Sequence, residues 1–410
     1  MIDPSSLRTV AIALAAAAAA VACGDLPDEW TDVGEDADTE TDAETDPQAA
    51  CEGELSFADP YLEESIRAAA GKPVGPLFAA DVDQLTALDA SGTMADQVVD
   101  LSGIECLESL EWLSVQFNCV QYVGPLAGLT SLKWLNLNDG CIVDISPLAD
   151  LTSLRWLGLS WGSSASFEAL SNMRELRGLD LAYTNIGNLD ALSGLTALEY
   201  LFLGYVHIEG VAPLAGNPSL RWLSLMWAEI DDPSSLSALT TVTGLYISGA
   251  TINDLAPLAG MTALEELQAT DIPFTDLAPL ASLTSLVSLY APDGAAEDLS
   301  PLSGLTSLTD LRVGVSHELV DLAPLSGLHS LESLQIAGSS AVDIGPLSGL
   351  TALAELRLEY NHIEELGPLV MNEGLGAGDE VYLAGNPIDL EAQAENIAAL
   401  EARGVYLDFD

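Results

Sequence analysis

Residues 131–152, SLKWLNLNDGCIVDISPLADLT, decide the fold, because they form one unit of a 22-residue pattern, LxxLxLxxNxIxxIxPLxxLx. Ten of the eleven steps between successive units are 22 residues long, and the step after Leu308 is 23. A period of this length is the signature of an array of stacked repeats. The leading residues of the units are Leu110, Leu132, Leu154, Leu176, Leu198, Leu220, Val242, Leu264, Leu286, Leu308, Leu331 and Leu353.

Within a unit, apolar and polar side chains alternate as they do along a strand. Leu135 and Leu137 face one way, and Trp134, Asn136 and Asn138 face the other. One unit cannot bury its leucine face alone, so neighbouring units must pair in parallel and share a continuous core. Nine units carry a Pro-Leu pair after the strand, where proline can begin a short helical turn.

This pattern resembles that of bacterial leucine-rich-repeat proteins of the 22-residue, internalin-like class, over roughly residues 52–410. The resemblance implies an α/β solenoid: a leucine-rich-repeat horseshoe or arc, with a parallel β-sheet on the concave face and a cap at each end. One departure concerns the asparagine ladder of the ninth position, which survives only as Asn118, Asn361 and Asn386. These side chains hydrogen-bond turn backbone, so we expect looser turns elsewhere in the same fold.

The domain division follows from the repeat boundaries. We expect an N-terminal cap with a degenerate first repeat over 51–108, twelve 22-residue units over 109–374, and a C-terminal repeat with a helical cap over 375–410. In the first cap, Asp59 and Pro60 begin a helix over 61–70, and Gly71 ends it.

The C-terminal cap is predicted to be a strand followed by a helix. Asp389 would cap this helix, Leu390, Ile397 and Leu400 would form its buried stripe, and Gly404 would end it.

The N-terminus is predicted to direct export. Arg8 precedes an apolar run over 10–22 that ends in small residues before Cys23. This segment resembles a bacterial lipoprotein signal, in which the cysteine becomes the acylated first residue, although Ala20 stands where the pattern prefers leucine. Residues 1–22 are thus a predicted signal peptide and Cys23 a predicted lipidation site; ordinary secretion after Ala22 is the alternative.

The segment that follows, residues 23–50, is predicted to be a disordered acidic tether. It contains eleven acidic residues, no basic ones and almost no core-forming residues. We therefore expect an exported protein that is lipid-anchored to the cell envelope, at the outer membrane or the cell surface.

The net charge of −52 constrains the partners. Sixty-three acidic residues oppose eleven basic ones, a balance that repels nucleic acid and anionic membrane surfaces. No apolar run reaches the roughly 18 residues of a spanning helix. We expect no nucleic-acid partner, membrane attachment through the lipid alone, and a monomer.

Four cysteines remain after Cys23, which an exported protein is expected to oxidise. Cys119 and Cys141 occupy the same position in adjacent repeats, so their Cα atoms should lie about 5 Å apart, within disulfide range. Cys51 and Cys106 would then join the cap to the first repeat.

Catalytic and metal-binding patterns are weak. The four histidines are scattered, and no cysteine pair has the spacing of a zinc site. Residues 158–162, GLSWG, match GxSxG, but a nucleophile elbow needs a helix next, and here the repeat continues. We predict no enzyme, cofactor or metal site.

The outward-facing strand positions carry the functional signal. Aromatic residues recur at the third and fifth positions, namely Trp112, Trp134, Trp156, Tyr200, Phe202, Trp222, Tyr246 and Tyr290. Basic residues recur at the second position, namely Lys133, Arg155, Arg177 and Arg221, while Arg312 and Arg357 lie at the fifth. Trp, Tyr and Arg are the commonest hot-spot residues of interfaces.

These residues predict non-catalytic recognition of a protein or peptide through an aromatic and basic concave face. Three alternatives stay open: duplication of repeat units without selection for binding, a glycan stacked on the tryptophans, and an envelope spacer or scaffold with no dedicated ligand.

Overall fold

The repeats stack as one parallel sheet in the computed structural model, which describes residues 51–93 and 97–410. Fifteen strands follow one another across the sheet, the last of them from the C-terminal cap, and the return path of most repeats is a short 3₁₀ turn. The fold is the predicted leucine-rich-repeat solenoid. The predicted signal peptide, Cys23 and the acidic tether lie outside the described residues.

The strands are β1 (Ala87–Asp89), β2 (Trp112–Ser114), β3 (Trp134–Asn136), β4 (Trp156–Gly158), β5 (Gly178–Asp180), β6 (Tyr200–Phe202), β7 (His207–Gly210), β8 (Trp222–Ser224), β9 (Glu229–Asp232), β10 (Gly244–Tyr246), β11 (Glu266–Gln268), β12 (Ser288–Ala296), β13 (Asp310–Val315), β14 (Ser333–Gln335), β15 (Glu355–Arg357), β16 (Glu380–Tyr382) and β17 (Tyr406–Asp408). Strands β7 and β9 pair with each other in a separate two-stranded sheet. The helices are α1 (Pro60–Ala69), α2 (Ala79–Val82), α3 (Gly367–Met371) and α4 (Ala394–Arg403).

The register of the main sheet places equivalent repeat positions side by side. Trp112 lies opposite Trp134, which lies opposite Trp156, which lies opposite Gly178. Each repeat position therefore forms a row across the sheet. The pairing of β12 with β13 contains a register shift between Ala291 and Ala296. These two strands are the longest of the sheet.

The core is the leucine face of the repeats. The leading residues are buried, from Leu110 at 0% exposed to Leu353 at 2%. Proline lies in the first turn of most 3₁₀ segments, as at Gly124–Leu126, where its missing N–H costs no hydrogen bond.

The asparagines of the ninth position bind turn backbone as predicted. Asn118 Nδ2 donates to the carbonyl oxygens of Ala90 and Val115 at 2.9 Å. Where asparagine is absent, the backbone closes the turn: the N–H of Ala228, for example, donates to the Leu225 carbonyl at 3.0 Å.

The N-terminal cap is tied to the repeats by a shared aspartate. Asp59 Oδ1 accepts hydrogen bonds from the N–H groups of Tyr61 and Leu62, which begins α1 as predicted. Its Oδ2 accepts another from Val99 at 2.8 Å. Both predicted disulfides are present: Cys51 with Cys106, and Cys119 with Cys141.

The C-terminal cap differs from the prediction in three details. Asp389 accepts from the N–H groups of Glu391 and Ala392 in a turn that precedes α4, which begins only at Ala394. Leu390 is 51% exposed, because it lies in that turn rather than on the helix. Strand β17, which was not predicted, follows the helix and completes the sheet beside β16.

Among the described residues, no helix is both long enough and apolar enough to cross a membrane.

Candidate functional site

The third-position row begins with a pair of stacked indoles. The rings of Trp112 and Trp134 lie 4.6 Å apart and within 8° of parallel. Both are half-buried, so their edges reach the concave surface while one face of each is covered by the other. Trp222 forms a similar pair with Tyr246, at 5.6 Å, and the Tyr246 hydroxyl donates to Glu266 Oε1 at 2.6 Å.

Trp156 departs from the prediction of an exposed aromatic anchor. Its side chain is only 2% exposed, because the indole lies across Gly178 of the next strand: a Cβ on Gly178 would meet Trp156 Cε3 at 2.1 Å. Phe202, two strands away, covers it further, with ring centroids 6.2 Å apart. Trp156 does lie on the outward side of its strand, but its neighbours cover it there, so the prediction that it is exposed for ligand binding was wrong.

A buried carboxylate lies on the same strand as Gly178, two residues further on. Asp180 is 6% exposed and accepts hydrogen bonds from Asn138 Nδ2 at 2.9 Å and from the Ala182 N–H at 3.1 Å. Burial disfavours the charged form and raises the pKa of Asp180 to about 6, although the two hydrogen bonds act in the opposite direction. The sequence pattern predicts Asn138 on the outward face, and the structure has it buried there against Asp180.

Two of the four basic residues at the second position are paired with acids of the same position. Lys133 Nζ lies 2.5 Å from Glu111 Oε1, and Arg177 lies 3.1 Å from Glu199. The hydrogen bond from Lys133 holds the pKa of Glu111 below its usual value. Such exposed pairs contribute little to stability.

The remaining cations of this row differ from one another. Arg221 donates to the carbonyl oxygens of Pro218, Leu220 and Thr241, while Arg155 is exposed. With four cations and two glutamates, the row stays locally positive on an otherwise acidic chain.

A second aromatic row, which the sequence analysis missed, lies at the eighth position of the repeat. Trp161, Tyr183, Tyr205 and Trp227 stack in sequence, with ring centroids 4.1, 4.3 and 6.2 Å apart. Trp161 and Trp227 at its ends are 44% and 43% exposed. We call these four residues the turn row.

The turn row is held in an unusual backbone conformation. All four residues have φ between 56° and 64°, the left-handed region, which costs an L-residue roughly 1–2 kcal/mol. Hydrogen bonds between repeats offset this cost: the N–H of Trp161 donates to the Ala182 carbonyl, and that of Tyr183 to the Gly204 carbonyl. Gly249 and Gly338 occupy the same position in later repeats.

Two phenols inside the turn row are hydrogen-bonded to each other. Burial, followed by the hydrogen bond with Tyr205, raises the pKa of Tyr183 above that of a free tyrosine. The stacked rings of the row expose mainly their edges, and the outer face of Trp227 lies against Gly249 of the next repeat.

The accessible aromatic residues of the strands and the turn row overlap on two units, those that begin at Leu198 and Leu220. The fifth and eighth positions are three residues apart, about 10 Å along an extended chain. We call their accessible members the aromatic surface. It consists of Trp112, Trp134, Tyr200, Phe202, Trp222 and Tyr246 of the strands and Trp161, Tyr183, Tyr205 and Trp227 of the turn row.

The GxSxG match does not form a nucleophile elbow. Ser160 is 7% exposed, and the next helical segment is a 3₁₀ turn at Glu168–Asn172. Over residues 51–93 and 97–410, no three His, Cys, Asp or Glu side chains are placed to hold a metal ion.

Comparison with solved structures assigns the chain to a family. The internalin InlF of Listeria monocytogenes is 31% identical in sequence and superimposes with a TM-score of 0.69, and the match covers 78% of this chain and 94% of that one. The chain belongs to the internalin family. No protein-family model and no curated protein sequence matches it.

Two further structures share the fold of this internalin. The functional domain of InlJ of L. monocytogenes, which includes a cysteine ladder, is 20% identical with a TM-score of 0.62, covering 85% of this chain and 78% of that one. A leucine-rich-repeat protein of Leptospira interrogans is 16% identical with a TM-score of 0.61, covering 81% and 97%.

Proposed function

We propose that this internalin is a non-catalytic recognition protein that binds a protein or peptide through the aromatic surface of its first half. The observation that carries the proposal is the turn row, whose end residues Trp161 and Trp227 leave over two-fifths of their surface open to solvent. Contiguous exposed aromatic surface on a soluble protein marks an interaction site.

The side chains of the turn row, and not its backbone, support binding over simple duplication. The left-handed turn is common to the repeats, because Phe117, Asp139, Asp271 and Tyr360 adopt it as well. Asp139 and Gly249 in the flanking repeats show that this turn does not need an aromatic residue, so the run of four stacked rings is not required by the fold.

A protein partner fits the ring geometry better than a glycan. A sugar stacks on an open ring face, but within the stacks at 4.1–4.6 Å the faces cover one another. The surface offers ring edges and a positive rim at Arg155, which suits a protein segment with apolar and acidic side chains.

We also propose that the protein acts outside the cytoplasm, anchored through a lipid on Cys23. Support comes from the signal-like residues 1–22, from the two disulfides, which form in oxidising compartments, and from membership of the internalin family.

The test is affinity capture from native envelope extract with purified protein. The bait is wild type, the double variant Trp161→Ala/Trp227→Ala, or Tyr360→Ala. Tyr360 is the matched control, since it is also left-handed, with φ 57°, and 70% exposed, but lies in the second half. We expect a protein retained by wild type and Tyr360→Ala and depleted at least tenfold by the double variant. Equal recovery on all three baits would contradict the proposal.

A further inference from the structure

The concave face of the second half contains a polar pocket, separate from the aromatic surface. Its volume is about 520 Å³, and its walls include Tyr290, Asp310, Arg312, Gln335, Glu355 and Arg357. These residues come from strands β12 to β15, which are adjacent in the sheet.

Arg312 is the feature of this pocket that needs an explanation. Its guanidinium lies over the Tyr290 ring, 4.8 Å from the centroid, and its Nε is buried with no hydrogen-bond partner among the described residues. Desolvating a charged donor without a partner is costly, so such a group is usually paired or bound to a ligand.

The other half-buried arginines show the usual solution. Arg67 forms an ion pair with Glu63 at 2.7 Å, and Arg357 forms one with Glu355 at 2.7 Å. Arg312 has no acid within ion-pair distance in the described part of the chain, although acidic residues outnumber basic ones 63 to 11.

We infer that Arg312 is the anchor of a second binding site, which takes the carboxylate of a peptide. The planar guanidinium fork matches the two oxygens of a carboxylate, and stacking on Tyr290 fixes its plane. Gln335 lies beside Arg312 on the next strand and adds an amide donor, and Arg357 follows on the strand beyond.

The acidic walls select the charge of the ligand. Asp310 and Glu355 line the same pocket, so a dianionic phosphate would be repelled more strongly than a singly charged carboxylate. A carboxylate in the pocket would meet the terminal nitrogens of Arg312, since Nε is buried, and the amide N–H groups of a peptide would give these acids donors to accept from.

The experiment uses three fluorescent random hexapeptide libraries on the full-length protein. One library has free C-terminal carboxylates but lacks Asp and Glu; a second is amidated but contains Asp and Glu; a third is amidated and lacks both. Binding is compared on wild type, Arg312→Gln, Arg312→Lys and Arg174→Gln, the last an exposed arginine that lies outside the strands.

The inference predicts enrichment of one or both carboxylate libraries on wild type and on Arg174→Gln. Arg312→Gln should lose this binding at least tenfold, and Arg312→Lys, which keeps the charge but not the fork, should lose part of it. The two carboxylate libraries distinguish a chain terminus from an acidic side chain.

Three outcomes would overturn the inference: equal retention on Arg312→Gln, equal binding of the neutral amidated library, or no enrichment of either carboxylate library. Arg312→Gln should fold, because it removes a buried donor without leaving an acid unpaired. If it does not fold, Arg312→Lys, which keeps the positive charge, provides the comparison with wild type.

Discussion

Trp156→Ala should destabilise the protein strongly, although this side chain lies on the outward face of its strand. The indole is 2% exposed and fills the space above Gly178. An aromatic side chain buries about 200 Å², worth about 5 kcal/mol at 25 cal/mol/Å² as an upper limit. Measured Trp→Ala substitutions in cores cost about 3–5 kcal/mol, and we expect the loss to fall in that range.

The assay is urea titration of wild type, Trp156→Ala and Trp134→Ala. Trp134 is the matched control, since it occupies the same repeat position on the neighbouring strand but is half-buried. Removing the Trp134 side chain loses its stacking on Trp112 and its partial burial, and we expect this to lower the free energy of unfolding by about 1–2 kcal/mol. Equal losses for the two variants, or a loss below about 1 kcal/mol for Trp156→Ala, would refute the packing argument.

Three further predictions concern charge, cross-links and the anchor. The pKa of Asp180 is about 6 in the folded protein and 3.8 in the unfolded chain. Between pH 3.8 and pH 6 the carboxyl is therefore protonated in the folded state and ionised in the unfolded state, and its contribution to the free energy of unfolding falls as the pH rises through this range. Asp180→Asn should remove up to about 3 kcal/mol of that pH dependence in urea titrations at pH 4 and pH 7, and an unchanged pH dependence would contradict it. Loss of Cys119–Cys141 by double alanine substitution should cost about 3 kcal/mol, because the disulfide links residues 22 apart; a loss below about 1 kcal/mol would show that it does not constrain the unfolded chain. Mass spectrometry of the mature protein should find a lipid on Cys23, and Cys23→Ser should release the protein from membranes; an unmodified chain beginning at Cys23 in the soluble fraction would rule the anchor out.

The fold and the disulfides were predictable because one spacing determines them. A 22-residue period places equivalent residues on neighbouring strands, which is why the spacing alone pairs Cys119 with Cys141. The same period explains why the leading leucines are all buried.

The exposure of the aromatic residues could not be predicted from the repeat position alone. Whether an outward indole stays open depends on its neighbour one repeat later, and Gly178 lets Trp156 lie flat across the next strand. Trp222 lies across Gly244 and Trp227 lies across Gly249 in the same way, yet Trp222 is half-buried and Trp227 is 43% exposed. A glycine 22 residues on therefore lets an indole lie across the next repeat, and the ring of Phe202 completes the burial of Trp156.

The turn row was missed for a different reason. The repeat pattern treats the eighth position as a variable turn residue, and aromatic residues seldom occupy the left-handed region that this turn requires. The signal was nevertheless present in the sequence, because Trp161, Tyr183, Tyr205 and Trp227 follow one another at 22-residue intervals.

The central claim, recognition through the aromatic surface, is tested most directly by one affinity measurement on the captured partner. The dissociation constant is measured at fixed salt for wild type, Trp161→Ala/Trp227→Ala and Tyr360→Ala. The account predicts that the double variant weakens binding by about 2 kcal/mol or more, roughly 30-fold, with Tyr360→Ala unchanged. Equal affinities for all three proteins, or an equal loss in the double variant and Tyr360→Ala, would contradict it.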